Sequence, residues 1–172
     1  QVSHHLENLT LKIWRQNGQA DAGHFESYRI DSISDEASFL EMLDVLNEKL
    51  IGEGLEAISF DHDCREGICG TCSLMIDGQA HGPQRGTATC QLHMRKFKSN
   101  DTIVIEPWRA TAFPILKDLM VDRAPLDRIV EAGAQVGLRH AGLKTLASCR
   151  MEKGYRDYGH DIDNTDSVLE AG

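Results

Sequence analysis

DHDCREGICGTCSLMIDG, residues 61–78, decides how this chain is read, because Cys64, Cys69 and Cys72 stand in it as C-x4-C-x2-C. A fourth cysteine, Cys90, follows after seventeen intervening residues. Residues 61–71 show neither a period of two nor one of 3.6, so they form a loop. Three thiolates on a tight loop and a fourth from a later segment make the ligand arrangement of a plant-type [2Fe–2S] cluster. A cluster held by four thiolates has a net negative core, which backbone N–H groups stabilise by pointing at sulfur. A backbone that wraps so closely needs positions of positive φ or without a Cβ. Gly67 and Gly70 stand between the first and second and between the second and third cysteines. A β-branched side chain at either is expected to strain the backbone and crowd a sulfur. Thr71 and Ser73 flank Cys72 and are placed to donate to sulfur or to backbone. Arg65, beside Cys64, either offsets the cluster's negative charge, the preferred reading, or faces solvent.

Two other metal sites use the same residue types. A zinc site shows two short Cys or Cys/His pairs, and Cys90-x2-His93 would supply one of them. The five-residue step from Cys64 to Cys69 then leaves a ligand over. A Rieske centre replaces two cysteines on one iron by histidines. His62 and His93 are at hand, but three cysteines within nine residues leave them without a role. Cys149 has no other cysteine within fifty residues and reads as an incidental thiol. His4, His5, His24 and His140 read as surface residues, and His62 and His81 as residues that orient loops.

The 172 residues suffice for one ordinary domain and part of a second. With 41% hydrophobic and 26% charged residues, the composition is that of an ordinary globular protein. The net charge of −9 and the absence of a basic cluster speak against nucleic acid as a partner, since phosphate contacts need a basic face. An acidic surface suits docking to a basic protein patch. No apolar run approaches the roughly 18–20 residues of a membrane span, and the first eleven residues hold no apolar stretch of signal-peptide length. Membrane association is therefore expected to come through partners. Five cysteines, an odd count, without a secretion signal point to thiols that serve a metal or catalysis in a reducing compartment.

Around the loop the pattern is that of a small α+β domain. Leu9, Leu11 and Ile13 alternate with polar residues over 8–16, and 24–30 reads as a second strand after a glycine-bounded turn at 18–23, which together make a hairpin. Ser38 with Glu41 forms a capping box. Phe39, Met42, Leu43, Leu46 and Leu50 then fall at helical spacing, so 38–50 is expected to be a helix ended by Gly52 and Gly54. Residues 73–76 and 102–105 are short strands around the fourth cysteine. Past Pro107, helical patterns are expected over 113–121 and 125–132, the second with Pro125 in its first turn. From Leu138 onward the chain is polar and charged.

CREGICGTC, HGPQRGTATCQLHMRKF (residues 81–97) and TIVIEPWRATAFPILKDLMVDR (residues 102–123) resemble the iron–sulfur subunit of succinate dehydrogenase and fumarate reductase, as do LTLKIWRQ and SFLEMLDVLNEKL. The resemblance covers residues 8 to about 137. It implies a β-grasp ferredoxin domain over 1–106, the start of a truncated helical domain over 107–137, and Cys64, Cys69, Cys72 and Cys90 as the [2Fe–2S] ligands. It also implies one-electron transfer from a flavoprotein subunit that oxidises succinate, or reduces fumarate, toward a quinone-binding membrane anchor. The chain is then peripheral, through its partners, on the cytoplasmic side of a bacterial inner membrane, and not catalytic alone. The family's [4Fe–4S] and [3Fe–4S] clusters have no ligands in this chain, since Cys149 alone supplies neither. A free-standing [2Fe–2S] carrier and a zinc-stabilised structural module are the alternatives. Residues 138–172, and RMEKGYRDYGHDID within them, resemble the glycine-cleavage T-protein and the C-termini of dimethylglycine dehydrogenases. They are expected to be an unrelated tail fragment, dispensable for the cluster and, with few apolar residues to bury, poorly ordered or loosely docked unless a partner covers them.

Overall fold

The first strand, β1 (His5–Arg15), buries Leu9, Leu11 and Ile13 completely while Lys12 stays exposed, as alternation requires of a sheet wet on one face. The computed structural model describes residues 4–111 and 113–137. β2 (His24–Ser34) runs antiparallel to β1, with Ile30 opposite Leu9 and Tyr28 opposite Leu11. It extends four residues beyond the strand expected at 24–30, because residues 31–34 keep pairing with the start of β1 despite their polarity.

α1 (Phe39–Gly52) starts at the expected capping box: the Glu41 N–H donates to Ser38 Oγ at 3.2 Å, and the Ser38 N–H donates to Glu41 Oε2 at 2.6 Å. Its stripe of Phe39, Leu40, Met42, Leu43, Leu46 and Leu50 is buried. Full burial of such side chains stabilises by about 1.5–3 kcal/mol each. The helix ends where the Glu53 N–H turns back to Lys49 and Leu50, followed by Gly54 at φ +75°. Asn47 then brackets Ile58 with two hydrogen bonds, 2.9 Å from Nδ2 to the carbonyl and 2.7 Å from the N–H to Oδ1. That clasp sets the direction in which the chain leaves for the cysteine loop.

After the loop come β3 (Met75–Ile76) and β4 (Gln79–Ala80), joined through Asp77 at φ +51° and Gly78 at φ +74°, the hand favoured in a two-residue hairpin. β5 (Thr102–Glu106) lies between β1 and β3, parallel to the first and antiparallel to the second. The sheet order is β2-β1-β5-β3-β4, and the core forms from the apolar face of α1 and the sheet. A parallel pair between the first strand and the last central one needs a long crossover, and α1 lies in it. This is the expected β-grasp arrangement.

Residues 113–121 do not form the expected helix. They fold as β6 (Ile115–Lys117) and β7 (Met120–Val121), an antiparallel pair that turns at Asp118, φ +46°. The reason lies in Asp118, which is 2% exposed and accepts from Gln16 N at 3.1 Å, from Ser59 N at 3.0 Å and from Arg15 Nε at 3.2 Å. Three donors converging on one buried carboxylate outweigh the spacing of Leu116, Leu119 and Met120, which mimics a helix.

Packing divides the chain into one compact unit, Gln1–Pro125, and a second, Leu126–Gly172, described as far as residue 137. The expected helix at 125–132 is present as α2 (Ala124–Ala134). The proposed tail at 138–172, with Cys149 and His140, lies outside the described residues. Among the described residues no helix is long and apolar enough to cross a membrane.

Candidate metal centre

The loop leaving Phe60 carries Cys64, Cys69 and Cys72, and Cys90 enters on a 3₁₀ turn, Thr89–Gln91. None of the four is in a disulfide. Two are buried, Cys72 and Cys90 at 4% each; Cys69 is exposed and Cys64 lies between. Backbone N–H groups converge on three of the sulfurs. Cys64 Sγ accepts from Glu66 and Ile68 at 3.4 Å and from Cys69 at 3.3 Å. Cys90 Sγ accepts from Gly67 at 3.2 Å, and Cys72 Sγ from Cys90 at 3.4 Å. The thiols thus fall into an outer pair, Cys64 and Cys69, and an inner pair, Cys72 and Cys90, stitched together by the Gly67 amide.

The backbone that makes these contacts is left-handed at Arg65 (φ +57°), Gly67 (+73°) and Gly70 (+69°). Nothing in the sequence marks Arg65 for this, since its side chain hides the requirement. The crowding expected at the two glycines is different in kind. A Cβ at Gly67 would lie 2.9 Å from Cγ of Gln91, not against a sulfur, and a Cβ at Gly70 would meet nothing within 4 Å beyond its chain neighbours Cys69 and Thr71. At Gly70 the left-handed backbone angle is the constraint.

Arg65 forms an ion pair with Asp44 of α1, Nη2 to Oδ1 at 3.1 Å, and its backbone carbonyl accepts from Gln91 Nε2, also at 3.1 Å. With its charge matched by Asp44, the visible part of Arg65 is to tie the loop to the helix. Thr71 Oγ1 lies 3.2 Å from Cys69 Sγ. Ser73 Oγ donates to the Gly70 carbonyl at 3.0 Å and so braces backbone, not sulfur. The Thr71 hydroxyl, followed by backbone donors and the neighbouring Cys64, brings the Cys69 thiol down to about 6, whereas burial pushes Cys72 up. Thiolate is the form that binds metal.

Gln91 and Arg123 are further neighbours that spacing does not reveal. Gln91 Nε2 reaches the Arg65 and Cys90 carbonyls, and Arg123 donates to the Thr71 carbonyl from 52 residues away. Two of the histidines near the cysteines are engaged elsewhere: His62 packs edge-on against Phe60 at 5.2 Å, and His93 Nδ1 meets the Gln91 carbonyl at 3.1 Å. Among the described residues no three Cys, His, Asp or Glu side chains converge as one ion would need. A two-iron cluster takes its four thiolates two by two. Amides aimed at sulfur, left-handed loop positions and paired thiols fit such a cluster.

The model of the 2Fe-2S iron–sulfur cluster binding domain matches residues 10–128, and that of the GCVT N-terminal domain matches residues 115–172. The chain is 32% identical over 117 residues to the fumarate reductase iron–sulfur subunit of Wolinella succinogenes, covering 66% of this chain and 43% of that protein. It is 29% identical over 120 residues to the mitochondrial succinate dehydrogenase [ubiquinone] iron–sulfur subunit 2 of Oryza sativa subsp. japonica, 68% of this chain and 33% of that one. It therefore spans less than half the length of these curated relatives. A chain of the Mycobacterium smegmatis Sdh1 complex in the apo form shares the fold, with a TM-score of 0.58 at 19% identity over 78% of this chain and 48% of that one.

Proposed function

This chain belongs to the 2Fe-2S iron–sulfur cluster binding domain family, and from that premise we propose that it is the electron-transfer iron–sulfur subunit, or the cluster-bearing part of one, of a succinate dehydrogenase or fumarate reductase type complex. The observation that carries the reading is the paired set of four thiols with backbone N–H groups directed at three of the sulfurs. Cys64, Cys69, Cys72 and Cys90 hold the [2Fe–2S] cluster, which when bound supplies one-electron redox chemistry.

The chain's own residues set the conditions for that chemistry. Fixed amides at sulfur stabilise the negative charge that reduction increases, without rearranging when the electron arrives. Cys72 and Cys90 share one buried cluster with Leu74 and Leu92, which keeps water from the inner pair, while the exposed Cys69 edge gives a partner a short approach. In the proposed setting the partners are a flavoprotein subunit and a quinone-binding membrane anchor, with the chain held peripherally on the cytoplasmic face. The division into a ferredoxin domain over 1–106, the start of a helical domain over 107–137 and an unrelated tail over 138–172 belongs to the same proposal.

Copurification tests the assignment. A tagged chain that brings down a flavin-containing partner in a stoichiometric complex, with succinate or fumarate changing the cluster's redox state, agrees with it. A chain isolated alone, red-brown and indifferent to both acids, is a free-standing carrier instead.

A further inference from the structure

Thr71 is the point at which the cysteine loop is held from outside. Its Oγ1 meets Cys69 Sγ at 3.2 Å and accepts from Asp63 N at 3.4 Å, and its carbonyl accepts from Ser73 N at 2.9 Å. The same carbonyl accepts from Nη2 of Arg123. Arg123 directly follows the β6–β7 hairpin, which the buried Asp118 pins to Arg15, Gln16 and Ser59. The guanidinium is thereby presented to the loop by the rigid body of the domain. Asp61, at the loop's entrance, lies 3.6 Å from the same Nη2, and both side chains are about two-thirds or more buried. Nε of Arg123 is buried with no acceptor. Buried donors are nearly always paired, so this side chain is held in place by its contacts to Thr71 and Asp61 at the expense of a third.

We propose that Arg123 is a positioning residue for the cluster: it fixes the Thr71 segment between the second and third ligands and, by its charge, raises the reduction potential. The inference rests on the ligand reading above. A cation beside a thiolate-bound centre favours the reduced, more negative form. Its fork also fixes a carbonyl in direction as well as distance, which a lysine does less well. Asp61 opposes that charge. Burial raises the Asp61 carboxyl above its ordinary range, Arg123 lowers it, and the facing Asp63 and His62 raise and lower it in turn.

The test is a redox titration with electron paramagnetic resonance on the full chain, wild type beside Arg123→Gln, Arg123→Lys and Asp61→Asn, each with iron and sulfide analysis. Arg123→Gln is expected to keep its iron and sulfide, to shift its midpoint potential downward and to show a changed resonance spectrum. Arg123→Lys recovers most of the potential but not the spectrum, and Asp61→Asn shifts the potential upward. Wild-type potential and spectrum in Arg123→Gln at full iron content overturn the proposal. If Arg123→Gln loses its cluster, Asp61→Asn decides, and an unshifted potential there overturns it. A wild-type chain that assembles no [2Fe–2S] spectrum sinks the ligand reading instead, so the two failures are told apart.

Discussion

Replacing Asp118 by alanine leaves Arg15, 7% exposed, without its buried counter-ion and removes the acceptor of the Gln16 and Ser59 N–H groups. Removing one partner of a buried pair costs about 3–5 kcal/mol. Arg15 keeps weaker partners, the exposed Glu56 carboxylate at 3.5 Å, the Tyr28 hydroxyl at 3.3 Å and the Glu56 carbonyl at 3.4 Å, which places the expected loss at the lower end, about 3 kcal/mol. The two orphaned amides sit at half-buried residues where water reaches them, so they add less than the full 1–3 kcal/mol of a buried unsatisfied group, roughly 1 together. Urea unfolding of the cluster-loaded chain, followed by circular dichroism and by visible absorption, measures this. The double variant Arg15→Met, Asp118→Leu is expected to be more stable than Asp118→Ala, because it leaves no buried guanidinium with only an exposed carboxylate to pair it. Asp118→Ala within about 0.5 kcal/mol of wild type, the range of an ordinary surface substitution, would show that residues 113–121 are not held as a hairpin by this carboxylate.

Gly67→Val and Gly70→Val each force a β-branched residue into left-handed backbone at about 1–3 kcal/mol. Gly67→Val also drives Gln91 aside, so its iron retention on gel filtration should fall further than that of Gly70→Val. The Glu26 carboxyl is held below its ordinary value of 4.5 chiefly by the Tyr28 hydroxyl, then by His24. Its stabilising contribution is therefore present above pH 4.5 and lost as pH falls through the lower folded value. In Tyr28→Phe the Glu26 carboxyl resonance should titrate at higher pH, and an unchanged titration refutes the assignment. Cys149→Ser, and truncation after Gly137, should both leave the absorption at about 400–600 nm intact, the usual iron–sulfur range; bleaching in either counts against the ligand set.

The parts of this fold that sequence discloses are those whose cause is local. The capping box at Ser38, the stripe on α1 and the alternation of Leu9, Leu11 and Ile13 each follow from neighbours a few residues apart. The cysteine spacing belongs with them, since three of four thiols share one loop. What stays hidden is set across long separations. The hairpin at 115–121 depends on Asp118 meeting Gln16 and Ser59, 102 and 59 residues away. Nothing near Pro114 or Leu119 in sequence announces that contact, and the apolar spacing there fits a helix equally well. Gln91 and Arg123 are polar residues on unremarkable segments, brought to the loop only by the tertiary fold. At Gly67 the neighbour is hidden for a related reason: spacing shows that a backbone must bend there, but not that the missing Cβ would have pointed at Gln91.

The central claim is that four cysteines hold a [2Fe–2S] cluster, and anaerobic purification with elemental analysis and spectroscopy tests it most directly. The chain is expected to contain iron and acid-labile sulfide in equal amounts, to absorb across the visible and to bleach partly with dithionite. Serine at Cys64, Cys69, Cys72 or Cys90 should abolish or deeply alter that spectrum one residue at a time. A colourless chain carrying zinc in place of iron, or a wild-type spectrum in any of the four serine variants, would contradict it.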